Sequence, residues 1–285
     1  MVAWSQTWTW LDGEWHEGNV QIMGVRTHSS WLASSVFDGA RYFEGVAPDL
    51  DLHCQRVNRS ALAMGLEALR PAEEIESLAR EGFAHFSSDA ALYIRPMYWA
   101  EDGGFMGVPP EAASTRFCLS LYEAPIPSLD EGYAVTTTRY RRPLPETALV
   151  NAKAGCLYPN NGRAMLEAKA KGFDNAVLLD VLGNVCELGT ANLFIAKDGV
   201  VMTPAATGVF LAGITRSRII KLLRDDGFDV RECVLKTEDL AAADEIFAAG
   251  NYGKVTPILR FETREFSVGP VTRRARELYW AYAHA

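Results

Sequence analysis

The hydrophobic and polar positions change period several times along the chain and predict a mixture of strands and helices. Short runs in which large apolar residues alternate with polar ones, or follow one another, are typical of strands. Such runs occupy residues 4–10, 34–45, 90–99, 114–122, 133–140, 175–180, 185–196, 200–203, 228–235 and 244–249. Longer segments with apolar residues three and four positions apart predict helices. These occupy residues 49–66, 71–86, 160–171, 215–226, 237–243 and 270–283.

One segment, 123–132, interrupts this pattern. It contains Pro125 and Pro127 and has no hydrophobic period, which is typical of a linker. We therefore predict an N-terminal domain over 1–122 and a C-terminal domain over 133–285. Because strands and helices are mixed without a regular β-α-β alternation, the fold class is α+β or irregular α/β.

Charge and composition narrow the choice of partners. The net charge is −8, and the chain has no cluster of lysines and arginines of the kind that nucleic acids or acidic membranes require. Residues 1–6 lack the basic and apolar regions of a leader peptide, and no later apolar run is long enough to span a membrane. We expect a cytoplasmic protein with no nucleic-acid partner and no membrane partner.

The cysteines indicate neither a disulfide framework nor a metal site. They are five in number, scattered, and without the paired spacing of zinc ligands. We expect free thiols in a reducing compartment and no bound metal.

A candidate for covalent chemistry is Lys153, which lies among the small residues Ala152, Ala154 and Gly155. Most lysines are solvated surface groups. A desolvated lysine, however, has a lowered pKa and offers the free amine that a Schiff base with a carbonyl cofactor requires. This hypothesis depends on finding a phosphate site, an acid for a ring nitrogen and a carboxylate site elsewhere in the chain.

Two segments could bind a phosphate. Gly213, Ile214 and Thr215 open a predicted helix, whose first amides have no acceptor within the helix and attract anions. Asn251 follows Gly250 at the end of a predicted strand and adds a side-chain amide. By itself, the first segment is more often an ordinary helix cap, and the second is as often a plain turn.

Three further residues could complete a cofactor site. Glu187 is an acid within a small, apolar run, where a buried carboxylate needs a cationic or protonated partner such as a pyridinium nitrogen. Tyr158 could donate a hydrogen bond to a ring phenolate oxygen, and Arg56 could add a positive charge for phosphate. The ordinary alternatives are a structural tyrosine and a surface salt bridge.

Taken together, these residues lie in motifs that resemble the class IV, fold-type IV aminotransferases dependent on pyridoxal 5'-phosphate (PLP), in particular the branched-chain amino acid aminotransferases. The similarity extends over nearly the whole chain. The motifs are Val36-Phe-Asp-Gly-Ala-Arg41, Tyr93-Ile-Arg-Pro96, Gly104-Phe-Met-Gly-Val-Pro-Pro110, Lys153-Ala-Gly-Cys-Leu-Tyr158, Glu187-Leu-Gly-Thr-Ala-Asn-Leu-Phe194, Gly213-Ile-Thr-Arg216, Ala243-Asp-Glu-Ile-Phe247, Val255-Thr-Pro257 and Gly269-Pro-Val271.

The resemblance implies a small N-terminal α/β domain, a larger C-terminal pseudo-barrel domain that binds PLP, and a homodimer. It also implies a role for each matching residue. Lys153 would form the Schiff base and move the proton. The cofactor-binding residues would be Lys153, Arg56, Tyr158, Glu187, Gly213, Ile214, Thr215 and Asn251. The substrate-binding residues would be Leu32, Phe37, Arg41, Tyr93, Arg95, Val108, Gly250 and Tyr252.

The implied reaction is a ping-pong transamination between a branched-chain or similar apolar amino acid and a 2-oxo acid such as 2-oxoglutarate. Departures from the family pattern concern the substrate pocket. Leu32 stands where branched-chain enzymes keep a tyrosine, Asp38 replaces a glutamate, and Tyr252 and Lys254 also differ. The alternatives on the same scaffold are a D-amino-acid or (R)-amine transaminase and an aminodeoxychorismate-type PLP lyase.

Overall fold

The computed structural model describes residues 4–285, and the chain divides into two compact units. Unit 1 contains the chain up to Ile126 together with Asn151–Leu157. Unit 2 contains Pro127–Val150 and Tyr158–Ala285. The segment that carries Lys153 therefore belongs to unit 1, although we predicted it within the C-terminal domain.

Unit 1 is an antiparallel sheet covered by helices. Its strands are β1 (Thr7–Leu11), β2 (Glu14–Glu17), β3 (Ser35–Phe37), β4 (Ala40–Tyr42), β5 (Leu92–Ala100) and β6 (Thr115–Glu123). They form one sheet in the order β2-β1-β6-β5-β3, and β4 also pairs with β5. The helices are α1 (His28–Leu32), α2 (Leu50–Met64) and α3 (Ala72–Gly82). α2 packs on β3 and β5, and α3 packs on β6, because each presents an apolar stripe to the sheet.

Unit 2 is built on a larger, mixed sheet. Its strands are β7 (Tyr133–Arg141), β8 (Asn175–Leu179), β9 (Val185–Leu188), β10 (Asn192–Lys197), β11 (Val200–Pro204), β12 (Asp229–Cys233), β13 (Glu245–Gly250), β14 (Lys254–Phe261) and β15 (Arg264–Glu265). The order is β12-β11-β10-β13-β14-β7-β8-β9, and β15 pairs with β14. The helices are α4 (Tyr158–Ala170), α5 (Ile214–Asp225), α6 (Thr237–Ala241) and α7 (Pro270–Ala283).

The central strands of unit 2 are buried on both faces. On β10, Leu193 and Ile195 belong to one hydrophobic cluster, whereas Phe194 packs in another with residues of α5 and α7. Phe194 stacks on Phe247 of β13 with ring centroids 4.9 Å apart. Strands covered on both sides read as continuous apolar runs, which explains why the sequence here shows little alternation.

The predicted mixture of strands and helices is confirmed, and two of the predicted strands prove to be pairs of strands. The run 34–45 forms β3 and β4, interrupted at Asp38 and Gly39. The run 185–196 forms β9 and β10, separated by a turn at 189–191. A Cβ at Gly189 would meet the Met165 sulfur at 2.7 Å and the Asn175 side chain at 3.1 Å, so glycine is needed for this close turn. The sequence interpretation also missed α1 and β14.

Two further features bear on the expectations from composition. Within residues 4–285, none of the helices is long and apolar enough to cross a membrane. The five cysteines are free thiols, as predicted.

Candidate active site

The backbone around Lys153 is fixed by unit 1. Its amide donates to Ser60 Oγ at 3.1 Å, and its carbonyl accepts from the Phe37 amide at 3.1 Å. Ala154 forms an isolated antiparallel bridge with Val36 of β3. These contacts hold the Lys153 amine 5.0 Å from the centre of the Phe37 ring. A half-buried amine over an aromatic face is the partly desolvated environment that the sequence hypothesis required.

Predicted substrate residues of unit 1 gather around Arg95 on β5. The Arg95 guanidinium lies 5.9 Å from the Phe37 ring, 5.2 Å from the Tyr93 ring and 5.0 Å from the Tyr122 ring. It donates to the Tyr122 hydroxyl. Burial raises the pKa of Tyr122, although Arg95 opposes that rise, so the phenol keeps its proton at neutral pH. Arg95 Nε is buried and has no hydrogen-bond partner within the part of the chain that the structure describes.

Arg41 lies on the neighbouring strand and is fully buried. Its guanidinium lies 5.9 Å from the Tyr93 ring and donates to the Ala124 carbonyl. β4 pairs with β5 so that Arg41 is opposite Tyr93. Arg41, Tyr93, Arg95, Phe37 and Lys153 therefore form one cluster in unit 1.

Arg56 lies in a buried ion pair that the sequence did not predict. Its Nε and Nη2 donate to Asp38 at 2.6 and 2.8 Å, and His53 Nδ1 lies 2.7 Å from the same carboxylate. The Gly39 amide donates to Asp38 at 2.7 Å. Burial alone would raise the pKa of Asp38, but Arg56 and His53 hold it well below its ordinary value. This pair fixes the position of the Arg56 guanidinium.

Glu187 on β9 has the cationic partner that its burial demanded, and that partner is Arg142. The two side chains approach to 3.2 Å, and both are largely buried. Arg142 also donates to the Val209 carbonyl at 3.0 Å and to Asn161 Oδ1 at 3.1 Å. Asn161 in turn donates to the Gly189 carbonyl at 2.9 Å, which ties α4 to the turn after β9. A fixed guanidinium beside Glu187 favours its charged form.

The two predicted phosphate-binding segments lie on either side of Asn192. β10 pairs with β13 so that Asn192 is opposite Ala249, directly before Gly250 and Asn251. A Cβ on Gly213 would clash with Asn192 Oδ1, so only glycine allows this approach at the start of α5. The first amides of α5, from Ile214 and Thr215, are thus placed near the end of β13, where Asn251 follows.

Asn251 itself offers a donor. Its Oδ1 accepts from the Lys254 amine at 2.6 Å. Its Nδ2 is buried and finds no hydrogen-bond partner in residues 4–285. A buried donor without an acceptor suits an anion.

The remaining predicted residues lie at the surface of their units. Tyr158 begins α4 and is exposed, as are Leu32, Val108 and Tyr252.

Sequence reasoning missed Arg142 and Tyr122 and assigned no role to Lys254. The need of a buried Glu187 for a cation was visible in the sequence, but the identity of that cation was not. Arg142 follows β7, which is separated from β9 by β8 in the sheet. Only a known sheet order could have placed it opposite Glu187.

The residues present suit PLP, whose phosphate, ring nitrogen and aldehyde each need a particular partner. In unit 2, the amides that open α5 and the buried Asn251 donor could bind a phosphate, and Glu187, paired with Arg142, is an acid of the kind that a ring nitrogen needs. Unit 1 offers the amine of Lys153. Each unit by itself therefore contains residue types that PLP requires.

Comparison with known proteins agrees with this fit. Residues 35–261 match the family model of class IV aminotransferases. The branched-chain-amino-acid aminotransferase of Salmonella typhimurium is 32% identical over 286 residues, covering 95% of this chain and 91% of that protein.

Solved structures are similar as well. The crystal structure of an aminotransferase from Brucella abortus bound to the cofactor PLP is 55% identical, with a TM-score of 0.97, and the match covers 98% of this chain and 100% of that one. The branched-chain amino acid aminotransferase of Escherichia coli is 30% identical, with a TM-score of 0.89, covering 99% of this chain and 95% of that one. These matches confirm the predicted fold class, and the chain belongs to the class IV aminotransferase family and is a PLP-dependent aminotransferase.

Proposed function

We propose that this enzyme exchanges the amino group of a branched-chain or similar apolar amino acid with a 2-oxo acid such as 2-oxoglutarate. The observation that carries this proposal is the Arg95 cluster. A buried guanidinium donor surrounded by the rings of Phe37, Tyr93 and Tyr122 suits a carboxylate attached to an apolar side chain. The similarity to branched-chain enzymes over most of the chain supports the same substrate class.

Lys153 is the proposed reactive residue. Its amine binds the cofactor's aldehyde covalently at rest. After release, the amine takes the proton from the substrate α-carbon and delivers it to the former aldehyde carbon of the cofactor. The Phe37 ring and the fixed backbone of Lys153 limit the positions of the amine. An amine with few accessible positions stays within reach of both carbons during the proton transfer.

The proposed role of Glu187 is to keep the ring nitrogen protonated. PLP, when bound, supplies an electron-withdrawing ring that stabilises negative charge at the substrate α-carbon. Arg142 favours the carboxylate form of Glu187, and this form attracts a proton on the opposing nitrogen. Tyr158 is assigned to the ring oxygen by resemblance alone.

The proposed phosphate ligands are the amides of Ile214 and Thr215 and the Nδ2 of Asn251. Gly213 contributes by allowing the close approach of Asn192 at the start of α5. Arg56 is proposed as a further phosphate contact, held in place by Asp38. The proposed substrate residues are Arg41, Tyr93 and Arg95 for the carboxylate. Leu32, Phe37, Val108, Gly250 and Tyr252 are proposed to shape the rest of the pocket.

We also propose a homodimer. Phe105, Met106 and Val108 are 83%, 82% and 69% exposed, and such a group of large apolar side chains is typical of an interaction surface. His28 joins this loop to α1, because His28 Nε2 lies 3.2 Å from the Gly107 carbonyl and its ring meets Trp31 edge-on. Light scattering should give twice the mass of the chain, and a monomer with full activity would contradict the proposal.

The cytoplasmic location stays a prediction.

The decisive test is a screen of amino donors. L-branched-chain amino acids, D-amino acids and (R)-amines are each offered with 2-oxoglutarate or pyruvate as acceptor. We expect the L-branched-chain donors with 2-oxoglutarate to give the highest kcat/KM and parallel double-reciprocal lines. Intersecting lines would contradict a ping-pong reaction. Preference for D-amino acids or (R)-amines would overturn the substrate assignment, and pyruvate formed without any oxo-acid acceptor would indicate a lyase.

A further inference from the structure

Lys254 is a lysine in an unusual backbone and burial state. It is the first residue of β14, pairs with Gly250 across a three-residue turn, and its side chain is completely buried. Its φ of 60° lies in the left-handed region. That position of a three-residue hairpin ordinarily carries glycine. A strained backbone at a buried lysine indicates that surrounding contacts require this side chain.

The contact that defines Lys254 is with Asn251, the other end of the same turn. The Lys254 amine lies 2.6 Å from Asn251 Oδ1 and 5.4 Å from the centre of the Tyr279 ring. A lysine ammonium donates three hydrogen bonds and accepts none. It can therefore bind only the oxygen of the Asn251 amide, and this excludes the flipped orientation in which Nδ2 would face the ammonium.

Fixing the amide oxygen also fixes the amide donor. Asn251 Nδ2 is buried and has no acceptor among the residues that the structure describes. The register of β10 and β13 places this turn beside Asn192, which touches Gly213 at the start of α5. The unsatisfied donor thus belongs to the same end of the sheet as the helix amides of Ile214 and Thr215.

We propose that Lys254 is a positioning residue for the cofactor phosphate. Its ammonium holds Asn251 Oδ1, and the Nδ2 donor is thereby presented to a phosphate oxygen. This inference rests on the proposed function, because it assumes that the turn binds the phosphate. It adds a residue pair in which the buried ammonium of Lys254 orients the side-chain amide of Asn251.

The test measures the affinities of the apoprotein for PLP and for pyridoxal, which lacks the phosphate. Lys254→Met removes the ammonium and retains the apolar stem. We expect its affinity for PLP to fall about tenfold, as for other residues that orient a ligand-binding group. Its affinity for pyridoxal should equal that of the unchanged protein. Lys254→Arg keeps a donor-only cation and should recover much of the loss. A general loss of structure would lower both affinities together.

A double-mutant cycle tests whether Lys254 acts through Asn251. Asn251→Ala removes the amide at a half-buried turn, and we expect it to lower the affinity for PLP and leave that for pyridoxal. In the double variant, Lys254→Met should add little to Asn251→Ala. Additive losses would contradict action through Asn251, and so would a Lys254→Met protein that binds PLP as tightly as the unchanged protein.

Two outcomes separate this inference from the proposed function. If the unchanged apoprotein binds PLP no better than pyridoxal, the phosphate site itself is wrong. If it prefers PLP but Lys254→Met has the same preference, only the role of Lys254 is wrong. Should Lys254→Met fail to fold, Asn251→Asp decides, because a carboxylate there presents no donor. It should lose the preference for PLP, and retention of that preference would overturn the inference.

Discussion

Two buried arginine–carboxylate pairs differ in how the arginine meets the carboxylate. In unit 1, Asp38 is fully buried and receives hydrogen bonds from Arg56, His53 and the Gly39 amide. In unit 2, Arg142 approaches Glu187 at 3.2 Å and also donates to the Val209 carbonyl and to Asn161.

This difference suggests that Asp38 has a structural role and Glu187 a functional one. A carboxylate with several short charged hydrogen bonds stabilises the fold and is costly to alter. Arg142 is held by two neutral acceptors besides Glu187, so its position does not depend on that carboxylate, which we propose serves the cofactor. We therefore expect substitution of Asp38 to affect mainly stability, and substitution of Glu187 to affect mainly catalysis.

The largest effect is expected for Asp38→Asn. Removing this charge leaves the Arg56 guanidinium buried without its anion, which costs about 3–5 kcal/mol of unfolding free energy. Urea unfolding of the apoprotein measures it. Asp12→Asn is the matched control, because Asp12 also accepts two hydrogen bonds from one arginine, Arg116, but at the surface. The control should lose at most about 1 kcal/mol. Equal losses in the two variants would contradict the comparison.

The next effect is expected for Glu187→Gln. Loss of the negative charge beside the ring nitrogen should lower kcat on the order of 100-fold, as for other preorganised electrostatic contacts. The unfolding free energy should change much less than in Asp38→Asn. Steady-state kinetics and urea unfolding of one preparation give both values. Glu167→Gln, which alters a carboxylate paired with Lys171 on α4, serves as control and should keep full activity. A Glu187→Gln enzyme with unchanged kcat would remove Glu187 from the mechanism.

A smaller effect is expected on acidification. The pKa of Asp38 is lowered in the folded protein, so its contribution to stability is present above its unfolded pKa of about 3.9 and is lost as the pH falls below that value. Below about pH 4 the unchanged protein should therefore lose about 1.4 kcal/mol per pH unit more than Asp38→Asn. Urea unfolding at pH 5, 4 and 3 measures the difference. A difference between the two proteins that widens on acidification would contradict the assignment.

The sequence predicted local features better than tertiary partners. The helices over 49–66, 215–226 and 270–283 were visible because apolar spacing and helix ends are local signals. The break between β9 and β10 was not, since it depends on the close packing of Gly189 against Met165 and Asn175. β14 was missed because most of its residues are buried and they show no alternation.

The candidate site divides in the same way. Lys153, Glu187 and Gly213–Thr215 could be selected from residue type and neighbours. The partners Arg142 and Asp38 could not be identified as partners, because both contacts join segments far apart in sequence. The hydrogen bond from Lys254 to Asn251 could not be predicted either, because a lysine in a hairpin is ordinarily solvated. These contacts depend on which distant segments pack together, and a single sequence does not reveal that packing.

The role of Lys153 can be tested by trapping the covalent link between PLP and the protein. The PLP-loaded enzyme is reduced with borohydride, digested, and its peptides are examined by mass spectrometry. We expect a pyridoxyl phosphate group on Lys153, present in the unchanged protein and in the surface variant Lys171→Ala. Lys153→Ala should lose both that label and turnover. Label on a different lysine, or turnover that survives Lys153→Ala, would contradict it.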